Sequence, residues 1–231
     1  TGFRTDLSIG EIREITGRVG CVITGATAEI APADKNLYAL RDVTATVASI
    51  PLITASIMSK KLAENLNALV LDVKWGNGTV MKSLTQAGEL ARSLVHTGSR
   101  MGVTTTVLIT DMNQPLGSAL GTASEVRAAV EVLSGTGDDR LREVSLRLSQ
   151  EAMVLAGADP AQARSRLDAS LSSGDALAAW VEMVEAHGGD PDPDRIGRGA
   201  AHRQPGTVRS VGRAPGAQQV VAVAVRDPGS P

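Results

Sequence analysis

The 231 residues are 42% hydrophobic and 21% charged, and 23 basic against 25 acidic side chains leave a formal net charge of −2. That is enough apolar surface for a sizeable core, while the absence of a basic block ahead of the tail and the presence of only four aromatics (Phe3, Tyr38, Trp75, Trp180) argue against a nucleic-acid partner. A lone cysteine excludes an internal disulfide and fits a reducing cytoplasm, and the longest apolar run, Ile50 to Met58, is too short to cross a bilayer.

Three short apolar or β-branched runs, Cys21 to Thr24, Ala68 to Val73 and Thr104 to Thr110, predict strands. Cys21 reads as a small core side chain of the first. Helical patterns occupy Asp34 to Val43, Pro51 to Asn65, Ser83 to Arg100, Ala123 to Leu133, Asp139 to Leu155, Pro160 to Leu171 and Asp175 to His187. Strands separated by helices predict crossover units, so the expected fold is α/β, with a mostly parallel sheet flanked by helices. In such sheets ligands gather beyond the carboxyl ends of the strands, where Asp72, Lys74, Thr110, Asp111 and Asn113 stand.

The helix from Pro51 is the most detailed expectation. Proline suits the first turn and Ser49 offers a capping oxygen. Leu52, Ala55, Met58, Leu62 and Leu66 recur at spacings of three and four and predict a buried stripe, while Ser56, Lys60 and Glu64 share another edge. With Arg41 facing that edge, a guanidinium fork, a hydroxyl and an ammonium could hold a flat ligand rich in carbonyl oxygens. The same residues also read as an Arg41–Asp42 surface pair, a solvated Lys60–Lys61 face and a serine bonded to its own helix. Further on, Lys74-Trp-Gly-Asn-Gly78 has the glycines and charge of a phosphate cradle but not P-loop spacing, so a tight turn explains it equally.

The run from Ala31-Pro-Ala-Asp-Lys35 through Tyr38-Ala-Leu-Arg41-Asp42-Val-Thr-Ala-Thr46 and Ile50-Pro51-Leu-Ile-Thr54-Ala-Ser56-Ile-Met-Ser-Lys60-Lys61 to Glu64 resembles, without a gap, the pyrimidine-binding segment of the thymidine and pyrimidine-nucleoside phosphorylases. The resemblance implies that Arg41, Ser56 and Lys60 contact the pyrimidine base, and that the substrates are a pyrimidine nucleoside and inorganic phosphate, exchanged in reversible phosphorolysis. It also implies an intact enzyme that is a cytoplasmic homodimer, with no organic cofactor. Asp111 to Val126 resembles the family as well. There some members bind a monovalent cation such as potassium through the main chain at the positions of Leu116 and Ala119 and a carboxylate at the position that is Ala128 here. The loop after Lys74 departs from the family's usual Lys-Val-Gly-Ser-Gly-Ala-Phe-Met at Trp75, Asn77, Thr79 and Val80.

By the same resemblance, the phosphate-binding Gly-rich segment and its Lys-His-Ser and Gly-Gly-Thr signature belong upstream of Gly2-Phe3-Arg-Thr-Asp-Leu-Ser. The chain is therefore expected to be an incomplete, nucleoside phosphorylase-like fragment, inactive alone. The expected divisions are residues 1–30 in the α/β domain, 31–66 in a small all-helical domain carrying the pyrimidine site, 67–187 as the α/β continuation, and 188–231 as a disordered or out-of-frame tail. That tail is rich in Pro, Gly and Arg and has no Leu, Met, Phe or Lys; only Gln219 to Val225 has a strand-like run. The alternatives are a non-catalytic truncated product and an interaction module of helices from Ala123 to His187.

Overall fold

The computed structural model describes residues 2–25, 32–192, 195 and 223–225. In chain order the elements are α1 (Ile9–Val19), α2 (Pro32–Val43), α3 (Ile50–Ala63), β1 (Ala68–Trp75), α4 (Leu84–Arg100), β2 (Thr104–Asp111), α5 (Thr122–Leu133), α6 (Asp139–Leu155), α7 (Pro160–Ser173), α8 (Asp175–Ala186) and β3 (Val223–Val225). It is the helix-rich α/β architecture expected, and no described helix is long and apolar enough to cross a membrane. Two compact units divide it: one of Thr1–Gly25, Leu116–Glu143 and Arg166–Gln219, the other of Ala26–Pro115, Val144–Ser165 and Val220–Pro231.

The second unit holds the sheet. β1 and β2 run parallel in register from Ala68 opposite Thr104 to Trp75 opposite Asp111. Parallel strands need a crossover, and α4 supplies it. Ser83 and Gln86 form a capping box that starts α4, and Ala87, Leu90, Ala91, Leu94, Val95 and Gly98 form its buried face at spacings of three and four. Thr105 to Thr110 are buried without alternation, as befits a strand covered on both faces. Met58 of α3 is 1% exposed and joins Leu69, Val73, Leu94, Val107 and Ile109 in one core cluster.

β3 pairs antiparallel with β2, Val107 opposite Val225 and Ile109 opposite Val223, which makes β2 the central strand. It falls within the Gln219 to Val225 run, whereas most of the remaining tail lies outside the described residues.

In the first unit, α1 packs on α8, and α5 also contacts α8. No helix is expected over Ile9–Val19 in the reading above, yet its signals are present: Ser8 and Glu11 close a capping box, and Gly20 ends the helix in the left-handed region at φ 86°. The expected strand at Cys21 to Thr24 does not form. Its polar groups are spent elsewhere: Ile23 N donates to His187 Nε2 at 3.4 Å, and Thr24 Oγ1 and Gly25 N both donate to Thr5 O. Among the described residues no strand pairs with this run, and Cys21 is exposed rather than in a core.

α3 also departs from its expected face. Ser49 makes no side-chain cap bond, and Leu52 and Ala55 are exposed; Thr54, Ser56 and Met58 are buried, with Ile50, Ile53 and Ile57 packed on the core. A helix apolar almost all round has no sharp stripe for a period to find. Thr54 is satisfied by Ser93 Oγ of α4 at 2.9 Å, and Asn65 terminates the helix at φ 54°.

Candidate pyrimidine site

The three residues singled out from the sequence all lie in the second unit. Ser56 and Lys60 are one turn apart on α3, and Lys60 Nζ donates to Ser56 Oγ at 3.0 Å and to Ser56 O at 2.5 Å. Its third bond runs to Asp34 Oδ2 of α2, also at 2.5 Å. The ion pair is largely enclosed, with 27% of the lysine and 14% of the aspartate side chain exposed.

Helix polarity favours this arrangement at both ends. Asp34 lies in the first turn of α2, where free N–H groups favour an anion, and Lys60 in the last turn of α3, where carbonyls favour a cation. Burial acts to raise the Asp34 pKa, but hydrogen bonds from Lys60 and Ser56 and the charges of Lys60 and Arg41 outweigh it. The carboxyl is held below its usual range.

Arg41 completes the group. It is 7% exposed, and its Nη2 donates to Val47 O at 2.6 Å, which pins the turn between α2 and α3. Thr46 N donates back to Arg41 O at 3.1 Å. One of the guanidinium's five donors therefore holds the turn while its charge acts on Asp34. The structure thus joins a carboxylate, an ammonium and a hydroxyl in one chain of hydrogen bonds, with the charge of Arg41 acting on the carboxylate. Lys61, next in sequence, turns away to pair with Glu64 at 2.9 Å on the exposed face.

Asp34 was within reach of sequence reasoning only as an acidic first-turn residue. Nothing in the sequence announces its partner 26 positions on.

The carboxyl ends of β1 and β2 carry a second polar cluster. Thr110 Oγ1 donates to Asp72 Oδ1 at 2.6 Å, and Lys74 Nζ reaches both Thr110 Oγ1 at 2.8 Å and Asp72 Oδ2 at 2.6 Å. The loop that follows is a turn and not an anion cradle. Gly76 N donates to Met81 O, Asn77 N to Asn113 Oδ1, Gly78 N to Met112 O and Thr79 N to Gly76 O, so these amides already have protein acceptors. Gly76, at φ 122°, lies so close to Asn113 that a Cβ would stand 2.8 Å from its backbone nitrogen.

Leu116 and Ala119 lie between β2 and α5 in the first unit. The position that would bring a carboxylate to a cation there is Ala128, an alanine buried on α5. This donor set does not fit a held potassium ion. No cluster of three or more His, Cys, Asp or Glu suited to a metal occurs among the described residues. A separate cleft of about 360 Å³ between α1 and α8 is lined by Leu7 and Ile15 and by charged groups, of which Arg4 is already paired with Glu11.

The sequence pattern of the Glycosyl transferase family, a/b domain, matches residues 1–177. Thymidine phosphorylase of Mycobacterium tuberculosis (strain ATCC 25618 / H37Rv) is 49% identical over 193 residues, 82% of this chain and 43% of that protein. Thymidine phosphorylase of Sinorhizobium fredii is 48% identical over 194 residues, 83% and 44% of the respective chains. Pyrimidine-nucleoside phosphorylase of Bacillus subtilis (strain 168) is 42% identical over 205 residues, 86% and 47%. The chain spans less than half the length of these curated relatives.

Proposed function

We propose a function for this chain from its family, because the chain belongs to the glycosyl transferase family and, within it, to the thymidine and pyrimidine-nucleoside phosphorylases. The activity it serves is phosphorolysis of a pyrimidine nucleoside: inorganic phosphate attacks the anomeric carbon, the glycosidic bond breaks, and the free base and a pentose 1-phosphate are released. The part carried by residues 31–66 is recognition of the base. Arg41 and Lys60 bind its carbonyl edge, Lys60 by exchanging one of its three present hydrogen bonds for the base, and Ser56 orients the ring.

Electrostatics explains the use of two cations. As the glycosidic bond breaks, negative charge collects on the departing pyrimidine, so donors fixed in advance near its oxygens lower the transition state more than the ground state. Arg41 gains by being buried and tied to Val47, because a guanidinium that need not reorganise stabilises more. A homodimer and a cytoplasmic location are the corresponding proposals for the assembled enzyme.

The observation that supports this reading best is the hydrogen-bonded group of Asp34, Lys60 and Ser56 with the buried Arg41 charge acting on its carboxylate. Calorimetric titration of the chain with thymine tests it. Binding that weakens on Arg41→Lys and persists on Lys61→Ala supports the reading; no binding, or equal effects of the two changes, overturns it.

A further inference from the structure

We infer that Asp34 is a positioning residue of the pyrimidine site, holding the Lys60 ammonium and the Ser56 hydroxyl where the base is received; the inference rests on the pyrimidine reading above. An ammonium has three protons and no acceptor, and Lys60 spends them on Asp34 Oδ2, Ser56 O and Ser56 Oγ. Two of those bonds return to its own helix. The Asp34 bond is the one that pulls the flexible four-carbon stem toward α2, where Arg41 stands.

Charge gives the carboxylate a second task. Arg41 and Lys60 are two cations in a largely enclosed place, and without a counter-ion their repulsion and desolvation would work against both facing one ligand. Asp34 accepts from Lys60, which in turn donates to Ser56 Oγ, and its charge offsets that of Arg41, so one carboxylate fixes the ammonium and, through it, the hydroxyl. A neutral pyrimidine then meets a site of one net positive charge, enough to favour its developing negative charge.

The test is a double-mutant cycle on the 231-residue chain with thymine as probe, read by calorimetry, with melting temperatures alongside. Asp34→Asn keeps the shape and removes the charge. It should weaken thymine binding about tenfold, and Asp34→Glu should recover part of the loss. In a Lys60→Met background, Asp34→Asn should cost little further affinity, because an effect exerted through Lys60 has nothing left to act on. A loss of the same size in both backgrounds would mark Asp34 as merely structural and overturn the inference. Tighter binding by Asp34→Asn would overturn it too, by making the carboxylate a competitor for the base. If the unsubstituted chain binds no thymine, the pyrimidine reading itself fails, an outcome separate from those shown by the variants.

Discussion

Gly98 of α4 lies directly over Thr105 of β2, so closely that a Cβ on the glycine would meet Thr105 Oγ1 and stand 3.0 Å from Thr105 Cβ and 3.2 Å from Val103 O. Thr105 is buried and tied to Val103 O, so it has little room to yield. Gly98→Ala gains helix propensity yet should destabilise the chain by about 1–3 kcal/mol, since overpacking a fixed core outweighs it. Thermal unfolding checks this. Adding Thr105→Ala should recover part of the loss, and an unchanged melting temperature would show that α4 can lift from the sheet.

At the site, Arg41→Lys should weaken thymine binding about tenfold, because a point charge cannot both hold Val47 O and present a planar fork. Lys61→Ala should change it less than about twofold, the usual weight of an exposed pair. Calorimetry gives the affinities, and near-equal melting temperatures would separate binding from stability.

Strong acid should loosen the start of α1. Hydrogen bonds from the Ser8 backbone and side chain and from Arg4 lower the Glu11 pKa from 4.5 to about 2. A depressed carboxyl contributes stability that is complete above 4.5 and disappears as pH falls toward about 2. The Glu11 side-chain carbon followed by NMR should titrate near the lower value. Glu11→Gln, which keeps the capping geometry, should remove that titration without unwinding α1 at neutral pH.

Deleting residues 219–231 uncovers the β2 backbone at 107–109, which β3 pairs. The melting temperature should fall by a few degrees, about what losing a short ladder near the core implies. Slow amide exchange at residues 223–225 would agree. An unchanged melting temperature would favour the expectation of a dispensable tail.

Much of the second unit was legible because its signals are local. Ala87 to Gly98 repeats at helical spacing beside a continuous β-branched run, and Ser56 and Lys60 meet because one helical turn obliges them to. The rest depends on partners distant in sequence. Cys21 to Thr24 has strand composition, but Thr5 and His187 take its polar groups. Asp34 acquires its role only when α2 sets it against α3, and Val47 had no mark of being the acceptor for Arg41. In α1, by contrast, the Ser8 and Glu11 pairing and Gly20 were written plainly, but the apolar pattern between them was too sparse to draw attention.

The His187 ring, 2% exposed, stacks on Phe3 at 4.4 Å and 6°, has Nδ1 2.7 Å from Arg4 O, and accepts from Ile23 N at Nε2. That clasp joins residues 183 positions apart, whereas Lys74 and Thr110 at the strand ends are separated by only 36. On the ribosome, the strand pair of the second unit can therefore assemble long before α8 exists, while α1 waits on the order of ten seconds or more for its partner. During that delay Leu7 and Ile15, later buried, face water or whatever chaperone is at hand. Helix α1, made before either strand, is thus sheltered after both.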